Sequence, residues 1–129
     1  MGHQQLLLII LGVIVIGIAM AVGLSLFIAN GVEANKDAMV YDINNIANYC
    51  YQYKIRPKCI GGGDKFYNLT TLPTKLATNS NATYLLSGGG AAATTITITG
   101  TSVVTANGSI SATLDANGVP TFDFSSFNE

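Results

Sequence analysis

Few side chains in this sequence are suited to chemistry. The two cysteines, Cys50 and Cys59, are close in sequence but lack the Cys-x-x-Cys spacing of a redox pair. In an exported protein they are read as an oxidised pair closing a short loop, worth about 2–3 kcal/mol; the other reading is two unrelated buried thiols. The single histidine, His3, lies at the opposite end of the chain. No His/Cys metal set forms around it, and no metal or cofactor is expected. His3 is also remote from the acids and hydroxyls of the C-terminal half, so no base–nucleophile constellation points to an enzyme. Asp115 and Asn117 carry oxygen atoms of the type calcium takes, but a tight turn already accounts for both. Tyr41, Tyr49, Tyr51 and Tyr53 are read as packing residues. Three Asn-x-Ser/Thr triplets, at Asn68, Asn81 and Asn107, are candidate glycan acceptors, although an Asn- and Thr-rich chain produces such triplets by chance.

The elements that hold these residues are more informative. The chain has 129 residues, a net charge of −1 and only 10% charged residues. Without a basic field, nucleic acid is not an expected partner. The stretch "LLLIILGVIVIGIAMAVGLSLFIA", Leu6–Ala29, carries no charge. Its 24 residues make a helix of about 36 Å, enough for a bilayer core of roughly 30 Å. The preceding "MGHQQ" has no Lys or Arg, and the run is longer than the apolar core of a cleaved signal. Small residues recur four apart at Gly17/Ala21, Ala19/Gly23 and Ala21/Ser25, spacing that lets helix backbones approach one another.

The helical pattern continues beyond Asn30 and Gly31. Val32, Met39, Ile43, Ile46, Cys50 and Tyr53 form one stripe, while Glu33, Lys36, Asp37, Asp42, Asn44, Asn45 and Asn48 are of solvent-facing types. No proline intervenes before Pro57. A single helix is therefore predicted from about residue 3 to about residue 54, about 75 Å long. Residues 1–30 form its hydrophobic half, 31–54 its amphipathic half, and 55–129 a loop and a β domain.

From Ile55 onward, Pro57, Pro73 and the glycine runs 61–63 and 88–90 mark a connecting region with one short strand at Tyr84–Leu86. Then the period becomes two. Ile96 and Ile98 alternate with threonines; Ile110, Ala112 and Leu114 with serines, Thr113 and Asp115; Phe122 and Phe124 with Thr121 and Asp123. Asp115–Gly118 and Asn107–Gly108 are tight-turn signals, and Val103 and Val104 are read as the start of a further short strand. The expected fold is α+β, a long N-terminal helix with a small C-terminal antiparallel sheet on its second half. Its core is Met39, Ile43, Ile46, Tyr53, Ile96, Ile98, Ile110, Leu114, Phe122 and Phe124.

On "QQLLLIILGVIVIGIAMAVGL" and this order of elements, the chain resembles the type IV pilins and pseudopilins. The resemblance implies a structural subunit held in the inner membrane by residues 6–29, then delivered by a pilus assembly machinery into an extracellular homopolymer. Identical subunits are the implied partners, and Gln5, Gly12, Gly17, Ala19, Ala21, Gly23 and Ser25 the implied packing positions. The family usually has a basic leader, a fifth-position glutamate and a mid-helix proline. Here Gln5 holds the fifth position when counting from Met1, so it hydrogen-bonds where the glutamate would pair with a neighbour's amine. Counting from a cut after Gly2 puts Leu7 there. Gly12, Gly17 and Gly23 supply the local flexibility in place of the proline. The alternatives are a pseudopilin of a secretion system and a monomeric, membrane-anchored surface or periplasmic protein.

Overall fold

The computed structural model describes residues 2–106 and 108–127. The first element is one α-helix, α1 (Gly2–Ile55). After a 3₁₀ turn at Lys58–Ile60 and a single helical turn α2 (Thr74–Ala77) come four strands: β1 (Ala82–Ser87), β2 (Ile96–Ser102), β3 (Ser109–Leu114) and β4 (Pro120–Asp123). They form one antiparallel sheet in the order β1-β2-β3-β4. The fold is α+β, a long N-terminal helix with a C-terminal antiparallel meander, as the periodicity predicts. The chain divides into two units, Met1–Glu33 and Ala34–Glu129.

Within the second unit the core is built from two periodicities. On α1, Met39, Ile43, Ile46, Ala47 and Cys50 are buried at three- and four-residue spacing. On the sheet, Ala82, Tyr84, Ile96, Ile98, Ile110, Ala112 and Leu114 are buried at alternate positions. Register aligns the buried positions of neighbouring strands on one face of the sheet: Ile96 pairs with Leu114, Ile98 with Ala112 and Gly100 with Ile110. Complete burial of an Ile or Leu side chain is worth roughly 1.5–3 kcal/mol, so these few residues dominate the stability of a small unit. Gly100 is required by proximity. A Cβ there would stand 2.7 Å from Tyr84 Cε1 and 3.3 Å from Met39 Cε, so its absence lets helix and sheet close over the tyrosine ring.

The Asp115–Gly118 turn follows its sequence signal, whereas the segment after β2 does not. Between β3 and β4, Gly118 N–H donates to the Asp115 carbonyl, and Asp115 Oδ1 accepts the amides of Asn117 and Val119. Gly118 has φ +79°, and a Cβ on it would run into the Tyr51 ring. Val103 and Val104 do not start a strand. β2 ends at Ser102, whose hydroxyl accepts the amides of Val104 and Thr105 and turns the chain away from the ladder. Tyr84–Leu86 belongs to a longer strand, β1, which pairs along its length with β2.

Candidate assembly surface

In the unit Met1–Glu33, every large apolar side chain from Leu6 to Ile28 lies between 50% and 75% exposed. Gln5, Gly17, Ala19, Ala21, Gly23 and Ser25 are exposed too, and Gly12 is half-exposed. A Cβ added at Gly12, Gly17 or Gly23 would meet nothing within 4 Å. Among the described residues, nothing therefore sets the size of these three glycines. The helix is long and apolar enough to cross a membrane. Its only ionisable side chain before Glu33 is His3, so it offers no chemistry beyond the removal of apolar surface from water. That surface can be covered by lipid tails or by other helices.

The second unit is joined across its helix–sheet interface by polar contacts that a hydrophobic stripe does not announce. Asn35 Nδ2 donates to the Asn81 carbonyl at 3.3 Å, and Asn35 Oδ1 accepts the Ser102 hydroxyl at 2.6 Å. Two helical turns later, Asp42 Oδ2 accepts from the Tyr84 hydroxyl at 2.8 Å, Asn79 Nδ2 at 2.7 Å and Asn81 Nδ2 at 3.3 Å. At the far end Lys54, buried, donates to the Ala116 carbonyl, and its ammonium lies 4.9 Å from the Tyr67 ring centre and 5.8 Å from that of Tyr51. Two aromatic faces and a carbonyl thus replace part of its hydration. Tyr67, fully buried, donates to the Asp115 carbonyl at 2.7 Å. Burial first, then the nearby Asp115 carboxylate, pushes the Tyr67 hydroxyl up to about 12. Tyr84 is raised by burial, then by its hydrogen bond to Asp42 and that group's charge.

These contacts correct the sequence reading of Asp42, which is half-buried and accepts three donors rather than facing solvent. The predicted core is corrected at three aromatics. Tyr53 and Phe122 are half-buried, and Phe124 is 40% exposed. Phe124 stacks on Phe122 with ring centres 5.9 Å apart, and the Lys36 ammonium lies 5.1 Å from its centre. The strand ends at Asp123, so Phe124 leaves the alternation. Phe127 is the buried aromatic at this end, and a Cβ on Gly108 would stand 3.0 Å from its ring.

The Cys50–Cys59 bridge is also corrected: both thiols are free, Cys50 buried and Cys59 exposed. Cys50 belongs to the inward stripe of α1, whereas Pro57 starts a 3₁₀ turn that carries Cys59 to the surface. Burial raises the Cys50 thiol to about 11. The loop is pinned by its backbone instead. The Gly63 amide donates to the Tyr53 carbonyl and the Lys65 amide to that of Lys54, both at 2.9 Å, satisfying carbonyls left over at the end of α1.

Asn68 is exposed, Asn81 is half-buried against Asp42, and Asn107 lies outside the described residues. Among the described residues, no three His, Cys, Asp or Glu side chains come together to hold a metal ion. Asp115 and Asn117 are occupied by the turn itself. Comparison with protein-family models, curated proteins and solved structures finds no match.

Proposed function

We propose that this chain is the structural subunit of an extracellular helical filament of the type IV pilin kind, stored in the membrane through residues 6–29 before assembly. The observation that carries the reading is the exposure of every large apolar side chain from Leu6 to Ile28, at 50–75%. At about 25 cal/mol per Å², so much apolar surface is costly in water and must be covered. A monomer meets that need with lipid. A filament meets it by packing the same segment of many copies together, and small residues four apart suit such packing. The unit Ala34–Glu129 supports the reading from the other side. Its sheet turns nine Thr and Ser side chains outward, at 83, 87, 97, 99, 101, 109, 111, 113 and 121, a wet face for a filament exterior.

Cell fractionation tests the proposal. The chain is expected in two pools: one released from membranes only by detergent, the other sheared from the cell surface and pelleting at high speed. A single membrane pool identifies a monomeric anchored protein and overturns the filament reading.

A further inference from the structure

The three glycan-acceptor triplets are alike in sequence, but the fold treats two of them very differently. Asn81 is used up. Its amide donates to Asn79 Oδ1 at 2.9 Å, its carbonyl accepts from Asn35 Nδ2 and from the Val103 amide, and its Nδ2 donates to Asp42 Oδ2 at 3.3 Å. The third residue of that triplet, Thr83, lies in β1, paired with Thr101 on one side and bridged to Thr78 on the other. A substituent on Asn81 Nδ2 would displace the helix–sheet contact at Asp42.

Asn68 stands in the opposite situation. It lies in the segment between Phe66 and Pro73, which has neither helix nor strand. Tyr67 is buried and Leu69 half-buried, while Asn68 and Thr70 are exposed. The first pair is fixed: Tyr67 exchanges backbone hydrogen bonds with Ala93 and Gly90, and a Cβ on Gly89 would collide with the Leu69 carbonyl. The acceptor and the hydroxyl two residues on are therefore held outward by an anchored backbone. Asn68 also borders an open groove of about 180 Å³ lined by Phe66, Lys58 and Asp64. The Phe66 ring, 37% exposed, gives a first sugar an apolar face to lie on.

We infer that Asn68 is an N-glycosylation site and that the folded unit withholds Asn81. The donor class is an oligosaccharide linked through its anomeric carbon to a polyprenyl phosphate or diphosphate. Asn68 Nδ2 forms the new bond to that carbon and loses one proton. The carbon–oxygen bond to phosphate breaks, and the lipid phosphate leaves with the electron pair. This requires that the unit Ala34–Glu129 be exported; it does not depend on whether the chain polymerises.

Peptide mapping by mass spectrometry of the full chain, purified from its own host, is the test. The peptide spanning Asn68 is expected to carry a glycan mass at majority occupancy, with Asn81 bare. Asn68→Gln and Thr70→Ala should abolish the added mass, Thr70→Ser should keep it, and Asn81→Gln should leave it unchanged. Asn68 and Thr70 are exposed, so substitution there leaves folding intact and loss of signal reports on the acceptor. A bare Asn68 peptide, or a glycan on Asn81, overturns the inference.

Discussion

The Asp42 carboxylate accepts the Tyr84 hydroxyl at 2.8 Å, joining the middle of α1 to the first strand of the sheet. The same oxygen holds Asn79 and Asn81, so one side chain fixes both β1 and the segment that leads into it. Asp42→Ala leaves the Tyr84 hydroxyl without its acceptor and should cost about 1–3 kcal/mol. Tyr84→Phe should cost less. In a double-mutant cycle the two losses are not additive, with a coupling of about 0.5–3 kcal/mol. Denaturant unfolding of the full chain in detergent, followed by circular dichroism, measures this; additive losses would contradict the contact.

The two thiols should differ sharply in reactivity. At pH 8 and without reductant, iodoacetamide is expected to label Cys59 in the folded protein, and Cys50 only after unfolding. Burial hides the Cys50 sulfur and raises its pKa to about 11, which suppresses the thiolate. Intact mass should show one adduct before denaturation and two after. No adduct in either state until a reductant is added would mean that the two are bridged.

Stability should fall in alkali. Cys50 is raised from 9.0 to about 11 and Tyr67 from 10.0 to about 12, and Tyr84 is raised as well. The unfolded chain releases these protons first, so the unfolded state binds fewer of them and the folded state is disfavoured as pH rises. The stability these groups supply is complete below about pH 9 and is lost progressively through about pH 12. Cys50→Ala should remove the first part of the decline, and Tyr67→Phe part of the remainder. Melting temperatures at pH 8, 10 and 11 measure it; a flat profile in the parent protein would count against the buried placement of these groups.

Gly17→Leu and Ala21→Leu address the packing of residues 6–29. At Gly17 even a Cβ meets nothing within 4 Å, and Ala21 is exposed, so neither change disturbs the chain itself. Membrane levels should stay within about twofold of the parent. The sheared pool should drop by about tenfold or more, because small-residue contacts between helices tolerate no added bulk. Quantitative immunoblotting of both pools distinguishes this from simple loss of the protein.

Much of this architecture is legible in the sequence. The helix follows from an apolar run continuing into a stripe without proline, and the strands from strict alternation. Legibility fails where a polar residue occupies a buried-stripe position. Asn35, Asp42 and Lys54 share the inward side of α1 with Met39, Ile43, Ile46 and Cys50, but the apolar pattern gives Asn35 and Lys54 no place and reads Asp42 as solvent-facing. Their partners are contributed by residues 37 to 67 positions away in sequence, a separation that no local pattern encodes. Tyr67 fails for a similar reason: nothing in a glycine- and lysine-rich loop marks Tyr67, rather than the adjacent Phe66, as the aromatic that turns in and reaches Asp115. The cysteines mislead because proximity in sequence says nothing of direction. A helix stripe turns Cys50 inward, and a proline-started turn puts Cys59 outside. On residues 6–29 the packing positions stay open: among the described residues nothing crowds Gly17, and Ala21 is exposed.

The central claim is that Leu6–Ala29 ends its service among copies of itself rather than in lipid. Cryo-electron microscopy of material sheared from the cell surface tests it most directly, with mass spectrometry establishing that the chain is its component. The account predicts a helical filament whose centre is a bundle of these helices, with the sheet's hydroxyl face outermost. Filaments lacking this chain, or a chain recovered only as detergent-solubilised monomers, would contradict it.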